Sequence, residues 1–163
     1  MKITLKKNKM ILIAPHKDPF VPEDSHSGIL SNTFAKEYPL NILIVEDDLI
    51  NQKLIERILS KLGYLTDTVS DGIQVLNSII KKKYNVILMD IRMPEMNGLE
   101  ATQHIRRMTI EQPYIIAMTA NAMSKDREEC LQIGMNDYIA KPMRLNEIIN
   151  TLKTAASCVL KRN

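Results

Sequence analysis

The most constraining feature of this sequence is a two-part unit, a short apolar run followed by a segment with helical spacing, that occurs five times between residues 42 and 158. The clearest runs are Ile-Leu-Ile-Val at residues 42–45 and Val-Ile-Leu-Met at residues 86–89. Continuous apolar runs of this length are typical of strands that are buried on both faces. Strands that alternate with helices predict an α/β fold with a parallel sheet covered on both faces.

The unit can be followed along the chain with approximate bounds. The predicted strands cover residues 42–45, 65–69, 86–89, 114–118 and 137–140. The predicted helices cover residues 49–62, 72–82, 98–108, 125–133 and 145 to about 158. Gly63 directly follows the first of these helices, at the place where helices commonly end. Right-handed crossovers would bring the C-terminal ends of all the strands to one edge of the sheet, where such folds bind ligands.

The domain organisation follows from length and composition. A chain of 163 residues with 45% hydrophobic residues suits one globular domain with its own core. The first 39 residues differ from the rest, because they contain Pro15, Pro19, Pro22 and Pro39. We therefore predict an N-terminal linker or extension at residues 1–39, extended or disordered over most of its length. A domain at residues 40–158 and a C-terminal tail at residues 159–163 follow it.

Composition also argues against several classes of function. The net charge is only +3, and the short lysine runs at residues 6–9 and 81–83 have no aromatic platform beside them, so direct nucleic-acid binding is not predicted. Cys130 and Cys158 lack partners at metal-ligand spacing, which favours a reduced, cytoplasmic protein over a disulfide or zinc scaffold. No apolar run approaches the length that spans a bilayer, and no membrane contact by this chain is predicted.

Polar side chains follow four of the predicted strands, where those strands end. They are Glu46, Asp47 and Asp48 after the first strand, Asp90 after the third, Thr119 after the fourth and Lys141 after the fifth. Each has an ordinary explanation by itself, such as a helix N-cap or a turn residue. Together they would form a cluster of carboxylates that needs a cation, and hard oxygen ligands favour Mg²⁺.

A lysine and a hydroxyl beside such a cluster point to phosphoryl chemistry. Positive charges and hydrogen-bond donors around a carboxylate can neutralise a phosphoryl group during its transfer. Carboxylates also act as nucleophiles toward phosphorus. The residues at this edge therefore predict metal-assisted phosphoryl transfer to a carboxylate.

Four motifs carry a resemblance to a known family. They are Ile-Leu-Ile-Val-Glu-Asp at residues 42–47, Leu-Met-Asp-Ile-Arg-Met-Pro at residues 88–94 with Gly98, Met-Thr-Ala at residues 118–120, and Tyr-Ile-Ala-Lys-Pro at residues 138–142. In this order and spacing they resemble the receiver domains of two-component signalling, of the type attached to hybrid sensor histidine kinases. The resemblance covers residues 40 to about 156. It implies a flavodoxin-like (βα)5 doubly wound parallel sheet with strand order 2-1-3-4-5.

The resemblance also implies roles for the residues around a bound metal. Asp90 matches the phosphoacceptor. In the Mg²⁺ site, Asp47 matches the direct ligand and Glu46 the outer acidic position, and Asp90 and the backbone carbonyl of Arg92 complete the protein ligands. Asp48 adds a third carboxylate to the first loop, which leaves open which two of these acids dominate metal binding. Arg92 is also one of two positions that tune the phosphoryl lifetime in this family.

Further roles concern the phosphoryl group and the response to it. Lys141 and Thr119 match the residues that bond the phosphoryl oxygens, and Tyr138 matches the aromatic residue that turns inward when Thr119 moves. Asn121 is the second position that tunes the phosphoryl lifetime. The small Ala120 would leave access to the acceptor. The peptide bond between Lys141 and Pro142 is expected to be cis, which costs little before proline.

The family implies partners and an output surface. The expected donor is a phosphohistidine on a histidine kinase, with a histidine phosphotransfer domain as a further partner. Residues 34–40 and 49–53 resemble hybrid-kinase sequences, so the chain is either a piece of such a kinase or a free-standing relative, and a homodimer is left open. Phosphorylation would switch the surface of the fourth helix, fifth strand and fifth helix of the repeat. We predict no enzymatic activity beyond the domain's own phosphorylation and dephosphorylation.

Three alternatives remain beside this interpretation. A phosphatase of the haloacid-dehalogenase type would need a second Asp two residues after Asp90, where this chain has Arg92. A flavin-binding module would need a Ser-, Thr- or Gly-rich phosphate loop after the first strand, where this chain has three acids. A pseudo-receiver that binds partners without phosphorylation is disfavoured because all the required positions are filled.

Overall fold

The computed structural model describes residues 33–120 and 124–161 of the chain. Within those residues, the helices are α1 (Phe34–Glu37), α2 (Leu49–Lys61), α3 (Gly72–Lys81), α4 (Gly98–Arg107), α5 (Ser124–Ile133) and α6 (Leu145–Leu160). The strands are β1 (Ile42–Val45), β2 (Asp67–Val69), β3 (Val86–Asp90), β4 (Tyr114–Thr119) and β5 (Asp137–Ala140). The predicted alternation of strands and helices is confirmed.

The strands form one parallel sheet in the order β2-β1-β3-β4-β5, as predicted. Every residue of β1, β3 and β4 is buried, which is why these strands carry the long apolar runs of the sequence. The register aligns Ile42 of β1 with Val86 of β3, and Val86 with Tyr114 of β4. The C-terminal ends of the central strands therefore reach the same edge.

Helices cover both faces of the sheet. Along β1, Ile42 and Ile44 join the core formed with α2 and α6, whereas Leu43 and Val45 join the core formed with α3, α4 and α5. This division follows from the alternation of side chains along a strand. The doubly wound arrangement of the flavodoxin-like fold is thus confirmed.

Short-range capping explains where the helices on the functional edge begin. The carboxylate of Asp48 accepts a hydrogen bond from the backbone N–H of Asn51 (2.8 Å) and caps α2. Asp71 caps α3 in the same way. Asn97 and Glu100 form a reciprocal capping box at the start of α4. Each cap satisfies N–H groups that the first helical turn leaves without partners.

The structured unit is longer than predicted at both ends. Phe34 of α1 is buried in the core against Tyr64, and the backbone N–H of Ala35 donates to the carbonyl of Leu62 (3.0 Å). Phe34, Ala35 and Tyr38 therefore pack on the domain, and residues 1–32 lie outside the described part of the chain. At the other end α6 continues to Leu160 and buries Val159, so the predicted tail begins too early.

The second strand is shorter than predicted. It begins at Asp67 rather than at residue 65. Leu65 is 96% exposed, and the preceding Tyr64 is still tied to the end of α2 through its N–H bond to the carbonyl of Leu59 (3.0 Å). Tyr64 is therefore still held by the C-terminal turn of α2, and the strand begins only at Asp67, two residues after the predicted start.

Candidate functional site

The strand ends bring the predicted polar residues to one edge of the sheet. Glu46 directly follows β1, Asp90 ends β3, Thr119 ends β4 and Lys141 follows β5. Hydrogen bonds between the strands continue to this edge, because the N–H of Lys141 donates to the carbonyl of Thr119 (2.7 Å). Glu46, Asp90 and Thr119 are all buried at this edge.

Lys141 lies between two of the carboxylates. Its Nζ is 2.6 Å from Oε2 of Glu46 and 2.8 Å from Oδ2 of Asp90. Burial of the ammonium group works against its charge, but the hydrogen bonds to Asp90 and Glu46 outweigh that effect and raise the pKa of Lys141. The ammonium is therefore charged at neutral pH.

The carboxylates of Glu46, Asp47 and Asp90 form a group that fits a small hard cation. One ligand oxygen from each lies within 4.8 Å of the others, and Asp47 is exposed to solvent. Lys141 balances part of the negative charge, which leaves an excess on three carboxylates. Because Mg²⁺ prefers one or two carboxylates and retains several waters, an oxygen cluster that opens to solvent suits it well.

Two amide side chains of α2 hold Glu46 in place. Nδ2 of Asn51 donates to Oε1 of Glu46 (3.0 Å), and Nε2 of the buried Gln52 donates to its backbone carbonyl (2.5 Å). With Lys141 on Oε2, both carboxylate oxygens of Glu46 have donors. The sequence reasoning missed these two residues. Their position one turn after the Asp48 cap is the signal that could have revealed them.

The remaining predicted residues occupy several positions. Asp48 caps α2 and is not part of the group formed by Glu46, Asp47 and Asp90. The backbone N–H of Arg92 donates to Oδ1 of Asp90 (3.2 Å), and its side chain is exposed. The Lys141–Pro142 bond is cis, as predicted. Asn121 lies outside the described residues.

The loop that carries Arg92 joins β3 to α4 and is closed by backbone bonds. The N–H of Gly98 donates to the carbonyl of Ile91 (3.0 Å), and that of Met96 to the carbonyl of Pro94 (2.7 Å). Glu95 has a positive φ of 64° in this tight turn. Gly98 is required here because a Cβ atom would overlap the backbone carbonyl oxygen of Asp90.

Two surfaces border the site. Tyr138 is half-buried against the core on the α3–α5 side, and the guanidinium of Arg127 lies 4.8 Å from the centre of its ring. On the other side, Leu49 and Ile50 begin α2 and are 68% and 80% exposed, directly after the acidic loop. Such exposed aliphatic side chains are typical of surfaces that other proteins contact.

Comparison with known proteins identifies the family. The model of the response regulator receiver domain matches residues 42–153, the segment that contains the whole sheet and its site. The chain belongs to the response regulator receiver domain family. Receiver domains act in two-component and phosphorelay signalling, and the resemblance drawn from the four motifs is thereby confirmed.

Several of the curated relatives are histidine kinases, hybrid ones among them. The chain is 38% identical to Histidine protein kinase 1 of Candida albicans over 94% of its own length, which is 7% of that protein. It is 44% identical to Hybrid signal transduction histidine kinase H of Dictyostelium discoideum over 72% of its length and 9% of that protein. The chain thus spans less than a tenth of each of these two relatives.

Solved structures of receiver domains have the same fold. The receiver domain of the sensor histidine kinase PA1611 of Pseudomonas aeruginosa is 45% identical, with a TM-score of 0.66, over 72% of this chain and 98% of that one. That structure has a magnesium ion in its active-site cleft. The receiver domain of Ssk1 of Saccharomyces cerevisiae, solved with the histidine phosphotransfer protein Ypd1, is 28% identical, with a TM-score of 0.67, over 72% of this chain and 89% of that one.

The helices also bear on membrane insertion. Among the described residues, none of the helices combines the length and the apolar character that crossing a bilayer requires.

Proposed function

We propose that this receiver domain accepts a phosphoryl group on Asp90 in a reaction that depends on Mg²⁺. The observation that carries the proposal is the position of the Asp90 carboxylate. It lies 2.8 Å from the ammonium of Lys141, and it forms a group with the carboxylates of Glu46 and Asp47 in which one oxygen of each lies within 4.8 Å of the others. An oxygen nucleophile beside a fixed positive charge and a cation site has what phosphoryl transfer needs.

The transfer step uses the chain's own groups in defined roles. An oxygen of Asp90 forms a bond to phosphorus while the bond from phosphorus to the donor's imidazole nitrogen breaks, and that nitrogen keeps the electron pair. Lys141 moves from its shared position to the phosphoryl oxygens, and the Thr119 hydroxyl donates to another of them. Both groups stabilise charge that develops outside the carboxylate.

The metal would be held by Asp47, Asp90 and the backbone carbonyl of Arg92. When bound, Mg²⁺ supplies positive charge to the phosphoryl oxygens. Both carboxylate oxygens of Glu46 already have donors in Asn51 and Lys141, so Glu46 suits an outer position in which a water connects it to the ion. The magnesium ion in the active-site cleft of the PA1611 receiver supports a magnesium site in this chain.

Phosphorylation would then shift the domain between two conformations. Thr119 is the last residue of β4, and Lys141 directly follows β5. Tyr138 lies within β5, beside Arg127 of α5. A phosphoryl group that draws Thr119 and Lys141 inward would therefore change the packing of Tyr138 and the surface of α5, β5 and α6.

The donor in this proposal is a phosphohistidine presented by another protein domain. Relatives in Candida and Dictyostelium are histidine kinases, and only 6% of this chain lies outside the match to the Candida protein, so the similarity extends into residues 1–32. We infer that the chain corresponds to the receiver segment of such a kinase. A histidine phosphotransfer domain is a further partner, as Ypd1 is for the Ssk1 receiver.

The direct test is intact mass spectrometry after incubation with acetyl phosphate, with and without Mg²⁺. We expect the mass of one phosphoryl group, which requires Mg²⁺ and is absent from Asp90→Asn. Asp137→Asn is the matched control, because it also replaces a strand carboxylate but lies at the start of β5. No gain in mass, together with no beryllofluoride complex, would contradict the proposal and favour a pseudo-receiver.

The protein donor can be tested through the exposed start of α2. Ile50→Glu places a charge on an 80% exposed aliphatic position and leaves the carboxylate group untouched. We expect slower transfer from a phosphorylated histidine phosphotransfer domain and an unchanged rate with acetyl phosphate. Equal rates with both donors would exclude this surface from contact with a protein donor.

A further inference from the structure

Gly72, the first residue of α3, lies against the β3–α4 loop (residues 91–97). Its backbone N–H donates to the carbonyl oxygen of Met96 (3.2 Å). A Cβ atom at position 72 would lie 2.7 Å from that oxygen, 2.6 Å from Cγ of Met96 and 2.9 Å from its Cβ. Carbon atoms do not approach a carbonyl oxygen so closely, so any side chain here requires the helix or the loop to move.

Backbone freedom does not explain this glycine. Gly63 and Gly134 are the glycines with positive φ among the described residues, and Gly72 is not one of them. It follows the Asp71 cap at the start of a regular helix, a setting in which alanine is ordinarily more favourable than glycine. The requirement for glycine therefore comes from the contact with Met96.

The loop has little capacity to absorb such a movement. Its far end is held by the bond from Gly98 to Ile91, and Gly98 itself lies directly against the backbone of Asp90. Met93, in the middle of the loop, is buried in the core. A displacement at Met96 is consequently passed along the loop toward Arg92.

Arg92 is where the displacement matters. Its N–H bonds to Oδ1 of Asp90 (3.2 Å), and its carbonyl is a ligand in the proposed metal site. Relief of the overlap with the Met96 carbonyl oxygen requires a shift of about 0.3 Å or more, because Cβ atoms essentially never come within 3.0 Å of another heavy atom. Mg²⁺ requires nearly octahedral ligands at about 2.0–2.1 Å, whereas Ca²⁺ accepts variable geometry at about 2.3–2.6 Å.

We propose that Gly72 is a positioning residue for the metal site, because its bare Cα lets α3 seat the β3–α4 loop at the depth that Mg²⁺ coordination needs. The inference rests on the proposed function, since it takes the carbonyl of Arg92 as a metal ligand. Gly72 lies at the start of α3, 20 positions before Arg92 in the sequence. The inference gives it control over the selectivity of the site for Mg²⁺ over Ca²⁺.

The test is a calorimetric titration of the full chain with Mg²⁺ and, separately, with Ca²⁺. For Gly72→Ala we expect the Kd for Mg²⁺ to rise about fivefold or more and the Kd for Ca²⁺ to rise less than twofold. Val75→Ala is the matched control, because it removes buried contacts from the same helix. It should lower the melting temperature without changing the ratio of the two Kd values.

The possible results separate the inference from the proposed function. If the unmodified chain binds Mg²⁺ and Gly72→Ala has the same ratio of Kd values, the inference is overturned and the proposed function stands. If the unmodified chain does not bind Mg²⁺, the proposed metal site is wrong and the inference falls with it.

A second variant keeps the test decisive if Gly72→Ala does not fold. Met96→Ala removes the side chain that rests on Gly72 and keeps the backbone bond between the two residues. We expect a loss of Mg²⁺ affinity of about twofold with Ca²⁺ affinity unchanged. An unchanged ratio for this variant would likewise overturn the inference.

Discussion

The two ends of the sheet both hold charged side chains in hydrogen-bond networks, but Arg106 at the N-terminal end is half-buried, whereas Glu46 and Asp90 at the C-terminal end are buried. At the N-terminal ends of the strands, the guanidinium of Arg106 donates to the carbonyl of Gly134 (2.8 Å) and to the amide oxygens of Gln112 (2.9 Å) and Asn136 (2.8 Å). At the C-terminal ends, three carboxylates lie close together, and two of them, those of Glu46 and Asp90, accept from the ammonium of Lys141.

The difference lies in charge rather than in hydrogen bonding. No buried side-chain nitrogen or oxygen among the described residues lacks a hydrogen-bond partner. At the N-terminal end, the guanidinium of Arg106 donates to neutral carbonyl and amide oxygens, and the carboxylate of Asp67 is paired with Lys82. The C-terminal end retains excess negative charge, which a cation from solution relieves. The network at the N-terminal end therefore contributes to stability, whereas the excess negative charge at the C-terminal end favours the binding of a cation.

The largest expected effect is the removal of the ammonium in Lys141→Met. The buried carboxylates of Glu46 and Asp90 would lose their shared positive partner, and the free energy of unfolding without Mg²⁺ should fall by about 3 kcal/mol. Urea denaturation of the variant and the unmodified chain in EDTA measures this difference in the free energy of unfolding. A loss below about 0.5 kcal/mol would show that the carboxylates tolerate their mutual repulsion and would weaken the contrast between the two ends.

Addition of Mg²⁺ should stabilise the domain through its C-terminal end. At a concentration of about 100 times Kd, the expected gain in the free energy of unfolding is about 2.7 kcal/mol. Asp47→Asn should remove most of that gain, because it neutralises the exposed carboxylate of the group. Thermal melts with Mg²⁺ and with EDTA provide the comparison, and Asp71→Asn, which can still cap α3, serves as the control.

At the N-terminal end, Arg106→Met should cost stability without affecting metal binding. Several carbonyl and amide oxygens would lose their donor, for an expected loss of about 2 kcal/mol. The gain in melting temperature on addition of Mg²⁺ should remain that of the unmodified chain. A smaller gain would show that the two ends are energetically coupled, contrary to the separation drawn here.

The smallest effect concerns pH. Hydrogen bonds from Lys82 and Tyr84 lower the pKa of Asp67 at the N-terminal end. Stability from this carboxylate is therefore present above its unfolded pKa of about 3.9 and is lost as the pH falls through the folded pKa. Asp67→Asn should flatten the dependence of the melting temperature on pH between about 5 and 2. The effect is small because both charges of the Lys82–Asp67 pair are partly exposed.

At the C-terminal end, the stability that Lys141 contributes is lost at high pH rather than at low pH. The raised pKa of Lys141 means that its contribution is fully present below an unfolded pKa of about 10.4 and is lost as the pH rises through the folded pKa. Lys141→Met should lack this alkaline loss and keep the acid one. An identical alkaline limb in the variant would assign that loss to other groups.

Much of the site could be predicted because its residues follow strands that local sequence already marks. The apolar runs at residues 42–45 and 86–89 identify β1 and β3, so Glu46 and Asp90 must lie at one edge of a parallel sheet. The boundaries were less predictable. The apolar residue Leu65 suggested a longer β2, whereas Tyr64 is tied to the end of α2 by a bond that the pattern does not encode.

Short-range periodicity and residue type are enough to predict the order of the elements, the sheet edge that carries the polar residues and the chemistry of that edge. The tertiary structure decided which side chains support the site: Asn51 and Gln52 on Glu46, and Gly72 beneath Met96. It also decided that Phe34 belongs to the core. Such contacts depend on close approach between different elements, and that distance is set only when the whole core packs.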